Sequence, residues 1–122
     1  MRSFQKDVAR WMNACFGPVI SNDKVERSDR FIEEALELVQ TTGYSAERAH
    51  ALVDYVFSRP VGEITQEVGG LLVTLAAFCN TNHVDMAEAG ETEVDRIWGK
   101  IDQIRAKQAA KPTGSALPEV VK

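Results

Sequence analysis

Apolar side chains in this 122-residue chain return every three or four positions, in segments separated by Gly17-Pro18, Gly43, Arg59-Pro60 and the stretch before Asp85. That period belongs to helices that each bury one face. Alternation of apolar and polar residues never lasts more than a few positions, so no strand competes. Five helices are expected. The first runs from about Ser3, as its cap, to Cys15, with Gly17-Pro18 as the stop. The second runs from about Asp23 to Thr41 and ends at Gly43. The third starts at Ser45, carries Glu47 in its first turn, and ends before Arg59-Pro60, because the residue preceding a proline is pushed out of the helical region. The fourth covers about Glu63 to Asn80, and the fifth about Asp85 to Gln108.

The second helix gathers Val25, Phe31, Ile32, Ala35, Leu36, Leu38 and Val39 into one stripe. The fourth does the same with Ile64, Val68, Leu71, Leu72, Leu75, Phe78 and Cys79, and the fifth with Val94, Ile97, Trp98, Ile101 and Ile104. The expected fold is an all-α bundle of about five helices. It forms a single domain over residues 1–108, followed by a flexible Pro- and Gly-containing tail over 109–122. Long helices with one stripe each leave room for a partner subunit, so completion by oligomerisation is expected.

Charge and composition narrow the function classes. The net charge of −4 leaves no general basic surface, which argues against a nucleic acid polymer as partner. The N-terminus lacks an apolar signal region, and the longest apolar run, Leu71 to Cys79, is interrupted by Thr74 and too short to span a bilayer. Cys15 and Cys79 have no ligand-type spacing and read as reduced thiols, so a cytoplasmic location with no membrane role is expected. His50 and His83 lack a second ligand at zinc spacing, and the glycines do not form a phosphate-cradling loop.

Two acidic segments carry the chemistry. Glu34 and Glu37 lie three residues apart on one helix, beside Glu33, and Glu67 lies at the margin of the fourth stripe, next to Gly69-Gly70. Hard cations such as Mg²⁺ take oxygen ligands and keep some waters, which suits carboxylates contributed by two helices. The same spacing also suits a solvated helix face, and Arg30 to Glu34 is an ordinary i,i+4 pair. Arg27 and Arg30, one turn apart, and Arg96 and Lys100, four apart, are the cationic candidates for phosphate; each also reads as a surface charge beside a neighbouring acid. Trp11 is placed to stack on a base or to pack in the core, whereas Phe16 reads as core.

The order Arg30-Phe-Ile-Glu-Glu-Ala-Leu-Glu-Leu, then Gln66-Glu-Val-Gly-Gly-Leu-Leu-Val-Thr-Leu-Ala-Ala-Phe-Cys, then His83-Val-Asp-Met-Ala-Glu-Ala resembles the MazG-like nucleoside triphosphate pyrophosphohydrolases. The resemblance covers about Phe4 to Gln108. It implies Mg²⁺, or Mn²⁺, held by Glu34, Glu37 and Glu67, and cleavage of a nucleoside triphosphate between its α and β phosphates to the monophosphate and pyrophosphate. It further implies that Glu33 or Glu37 orients the attacking water, that Arg27, Arg30, Arg96, Lys100 and Trp11 contact substrate, and that the enzyme is a homodimer or homotetramer. The chain departs from the family at the fourth metal ligand, normally Asp, where Gly70 stands. It departs again on the last helix, where Glu93 and Ile97 replace Lys and Asn. Gly70 leaves three alternatives open: close approach of another group to bare backbone, a substitute acid (Glu63, Glu33 or Asp54), or loss of catalysis. The last would make the chain a helical nucleotide- or protein-binding module.

Overall fold

The computed structural model describes residues 3–110. They form six helices: α1 (Phe4–Ser21), α2 (Lys24–Gln40), α3 (Ala46–Phe57), α4 (Ile64–Thr81), α5 (Met86–Trp98) and α6 (Ile101–Ala109), with no strand among the described residues. The chain is all-α. The tail expected over 109–122 lies, from residue 111 on, outside the described residues.

Helix starts follow from short polar side chains placed where the first backbone N–H groups have no partner. Asp23 accepts from the Glu26 N–H, Ser45 from that of Arg48, and Asp85 from that of Glu88. Glu63 accepts from both Thr65 and Gln66 at the head of α4. Such a cap contributes about 1 kcal/mol. Ser3 occupies the corresponding position of α1 without a side-chain cap bond.

Two boundaries differ from the sequence expectation. Gly17, at φ 80°, interrupts α1, but the chain resumes one more turn to Ser21. Pro18 explains the resumption, since its fixed φ suits the first position of a helix. The expected fifth helix is two, divided at Gly99-Lys100. Beside the low helix propensity of Gly99, the carbonyl of Ile97 is taken by the indole N–H of Trp11 at 3.0 Å and by the Lys100 N–H in a tighter turn. An interior carbonyl thereby keeps its partners while the helix breaks.

The packed part of the chain is α1 against α5 and α6. Trp11, Cys15 and Val94 are 7%, 2% and 3% exposed, and Phe16 meets Trp11 edge-on with ring centroids 5.6 Å apart. Arg105 of α6 donates to the carbonyls of Cys15 at 2.5 Å and Ala14 at 2.6 Å, satisfying the end of the first α1 segment. The other half is open. Every residue from His50 to Thr74 is exposed, and on α4 only Cys79 is buried. The stripes of α2 and α4 form as expected, yet one chain leaves Phe31, Leu36, Val68 and Leu72 about half exposed. No helix among the described residues is long and apolar enough to cross a membrane.

Candidate functional site

Arg27, Arg30 and Glu34 follow one another at steps of three and four along α2, so they project to one side of it. That side faces α1, α5 and α6 across a cavity of about 500 Å³. Trp11, Met12 and Phe16 supply its apolar wall. Arg27, Arg30, Glu33 and Glu34 come from α2, Glu93 and Arg96 from α5, and Lys107 and Gln108 from α6.

Beneath the arginines lies Glu26, 5% exposed. Its carboxylate accepts from Arg30 Nε at 2.8 Å and lies 3.7 Å from Arg27 Nη2. Arg30 also approaches Glu33 at 3.6 Å and donates to Gln108 Oε1 at 3.4 Å, so its guanidinium is held from three sides. Arg27 is held poorly. Its Nε is buried without a hydrogen-bond partner, and its Nη1 meets only the Met12 sulfur at 3.7 Å. Burial pulls the Arg27 pKa down, with Glu26 opposing. A charged donor that has lost water without gaining a good acceptor costs free energy, and an anion in the cavity would offset that cost.

The acidic side is strained in the opposite sense. Partial burial raises the Glu34 pKa, followed by the negative charges of Glu37, Glu33 and Glu93, while Lys107 lowers it. Glu34 remains exposed over more than a third of its surface, so solvent screens much of this. Glu93 is held below the usual carboxylate range by two hydrogen bonds from Arg96, at 2.8 and 2.7 Å. Both partners are exposed, and such a pair contributes little to stability.

The structure therefore brings together six of the residues singled out from sequence: Trp11, Arg27, Arg30, Glu33, Glu34 and Arg96. Trp11 forms the cavity wall as a core residue, largely covered and with its N–H satisfied. Glu37 turns instead onto a groove of about 360 Å³ between α2 and α3, which it shares with Glu33 and His50. Lys100 lies outside the cavity. Glu67 stands on the exposed part of α4, its carboxylate so close over Gly62 that a Cβ there would come within 2.5 Å of it. Among the described residues, no three His, Cys, Asp or Glu side chains form a group that would hold a metal ion. Of the possible replacements for the fourth ligand, Glu63 is occupied as the α4 cap, and hydrogen bonds from the Thr65 and Gln66 N–H groups lower its pKa. At Gly69 and Gly70 an added Cβ would meet nothing within 4 Å, so among the described residues no side chain or loop packs on that backbone.

Besides Met12 of the apolar wall, three polar residues of the site escaped the sequence reading. Glu26 had a signal, its i,i+4 spacing to Arg30. Lys107 and Gln108 had none, because the break at Gly99-Lys100 is what sets their direction. Compared with family models, with curated proteins and with solved structures, the chain matches none.

Proposed function

We propose that this chain is a metal-dependent nucleoside triphosphate pyrophosphohydrolase of the all-α, MazG-like kind. It would release the monophosphate and pyrophosphate in the cytoplasm as a homodimer or homotetramer. The observation that carries the reading is Arg27, a part-buried guanidinium whose Nε is covered and unbonded, set beside Arg30 in a cavity that also holds carboxylates. Polyphosphate oxygens are the ligands that suit two adjacent guanidiniums.

In this reading Arg27 and Arg30 bind the terminal phosphates, with Arg96 and Lys107 closing the cationic rim. Trp11 and Phe16 offer an apolar wall that excludes water on the side of the base. Glu33, which borders both the cavity and the groove holding Glu37, accepts a proton from the water it orients. Burial and, after it, the negative charges of Glu37, Glu33 and Glu93 raise the Glu34 pKa, and a hard cation would relieve the repulsive part. Glu34 and Glu37 would hold Mg²⁺ or Mn²⁺, with Glu67 as the α4 ligand and water at the place of Gly70. Glu67 is the weak member, standing apart from the α2 pair. When bound, the ion supplies charge compensation for phosphate and a more acidic water.

Pyrophosphate release from a panel of (d)NTPs with Mg²⁺ or Mn²⁺ tests the reading. Turnover is expected, with Glu34→Gln and Glu67→Gln each lowering it by about 100-fold or more; absence of metal-dependent turnover across the panel removes the catalytic claim. A second reading, a non-catalytic nucleotide- or protein-binding module, is favoured by Gly70 and by Glu93, which occupies Arg96 instead of binding phosphate. Calorimetric titration with Mg²⁺ and a non-hydrolysable triphosphate separates the two: tight association without turnover selects the binder, and no association selects a protein-interaction role.

A further inference from the structure

We infer that Met12 is a reversible oxidation site: a hydroperoxide converts its thioether to the sulfoxide, and the new oxygen takes the open donors of Arg27, which is thereby withdrawn from anion binding. Of the proposed function, only Arg27 as an anion ligand enters here; neither metal nor turnover does.

Position gives the first reason. Met12 sits half-buried on α1 and borders the cavity of about 500 Å³ together with Arg27. A cavity of that size admits a small hydroperoxide to the sulfur. The two thiols are less open to the same reagent. Cys15 and Cys79 are 2% and 8% exposed, and burial pushes the Cys15 thiol up, away from the thiolate through which a cysteine reacts. Met86, 39% exposed at the head of α5, lies outside the cavity and serves as an internal reference.

Arg27 gives the second reason. Its Nη1 donates to the Met12 sulfur at 3.7 Å, and its buried Nε has no partner. A thioether is a weak acceptor, so both donors are poorly met. The carboxylate within reach, Glu26, is held by Arg30 Nε at 2.8 Å and lies 3.7 Å from Arg27 Nη2. A sulfoxide oxygen carries substantial negative charge and accepts strongly. Three rotatable bonds let the Met12 side chain turn that oxygen onto the guanidinium. In an ordinary apolar wall a sulfoxide disrupts packing; here an orphaned donor already faces it.

The chemistry balances with the peroxide alone. A sulfur lone pair attacks the terminal peroxide oxygen, and an S–O bond forms as the O–O bond breaks. Sulfur is oxidised by two electrons and the peroxide is reduced by two. The proton of the transferred oxygen passes to the departing oxygen, leaving water or an alcohol. A methionine sulfoxide reductase supplied with a dithiol reverses the change, releasing water and leaving a disulfide. While the sulfoxide stands, it competes with phosphate for the same N–H groups.

Hydrogen peroxide treatment of the full chain tests this, followed by peptide mass mapping, calorimetry with inorganic tripolyphosphate, and urea melts. Met12 should take up one oxygen, and bound tripolyphosphate should slow that uptake while leaving Met86 unaffected. Full conversion of Met12 should raise the Kd for tripolyphosphate about tenfold, and methionine sulfoxide reductases A and B together should restore it. The effect should persist in Met86→Leu and vanish in Met12→Leu, each variant compared with itself before treatment. Oxidation should also lower the urea midpoint by at least about 0.5 M more in Arg27→Met than in wild type, because only wild type offers the sulfoxide a donor. An effect on binding that survives Met12→Leu, or equal midpoint shifts, overturns the inference. A chain that binds no tripolyphosphate before treatment refutes the anion site and the withdrawal alike, whereas normal binding that ignores the sulfoxide refutes the withdrawal alone.

Discussion

Replacing Glu26 with Gln tests whether the cationic wall of the cavity is positioned from beneath. Glu26 is buried and holds Arg30 Nε at 2.8 Å, while Arg30 retains 18% exposure of its side chain. Removing one member of a fully buried ion pair costs roughly 3–5 kcal/mol, because the other charge is left unpaired. Here the loss is smaller: Glu33 at 3.6 Å and Gln108 at 3.4 Å still attend Arg30, and the amide oxygen of Gln can accept one bond. About 1–2 kcal/mol is expected, which at an m-value near 1.5 kcal/mol/M is a urea midpoint lower by about 1 M, measured at fixed protein concentration. Stability loss alone would not separate positioning from packing. The cycle with Arg30→Gln does, and its coupling term should reach about 1 kcal/mol or more. Binding of tripolyphosphate, followed by calorimetry, should weaken in Glu26→Gln although Glu26 touches no ligand. A midpoint shift under about 0.3 M with unchanged binding would refute the role.

Arg27→Met should leave stability unchanged or raise it by up to about 1 kcal/mol, since it deletes a part-buried charge with an unsatisfied Nε, while tripolyphosphate affinity falls; a destabilised variant with normal affinity contradicts the anion site. The raised folded-state pKa of Glu34 means that the folded chain holds its proton longer than the unfolded chain, so its contribution is present below the unfolded value and is lost as pH rises through the folded one. Glu34→Gln removes that loss, and its stability relative to wild type should increase from acid toward neutral pH in urea melts without metal; a difference independent of pH opposes the assignment. Gly70→Asp has open space above it and gains a few tenths of a kcal/mol in helix propensity. It should tighten Mg²⁺ binding by about tenfold in calorimetric titration, and unchanged affinity argues against an ion at this face.

The all-α fold was legible because its punctuation is local. Asp23, Ser45, Glu63 and Asp85 cap the helices within a residue of where composition places their starts. The split of the last helix was not legible, since it depends on Trp11, far away in sequence, taking the Ile97 carbonyl. The same holds for the site. Spacing along α2 was enough to group Arg27, Arg30 and Glu34. Whether Glu67 meets them depends on how α4 lies, which no periodicity encodes, and a single chain leaves α4 uncovered. Glu37 shows the limit of the i,i+3 argument: it interacts electrostatically with Glu34 yet borders a different groove.

Arg105 never faces the cavity, yet the far wall depends on it. A nine-residue helix such as α6 has too few turns to persist alone. Two carbonyls at the end of the first α1 segment tether it through one guanidinium. Lys107 and Gln108 sit just beyond that tether, so cutting it would let the enclosure unlatch on that flank while Glu26 and Arg30 stayed in register on α2.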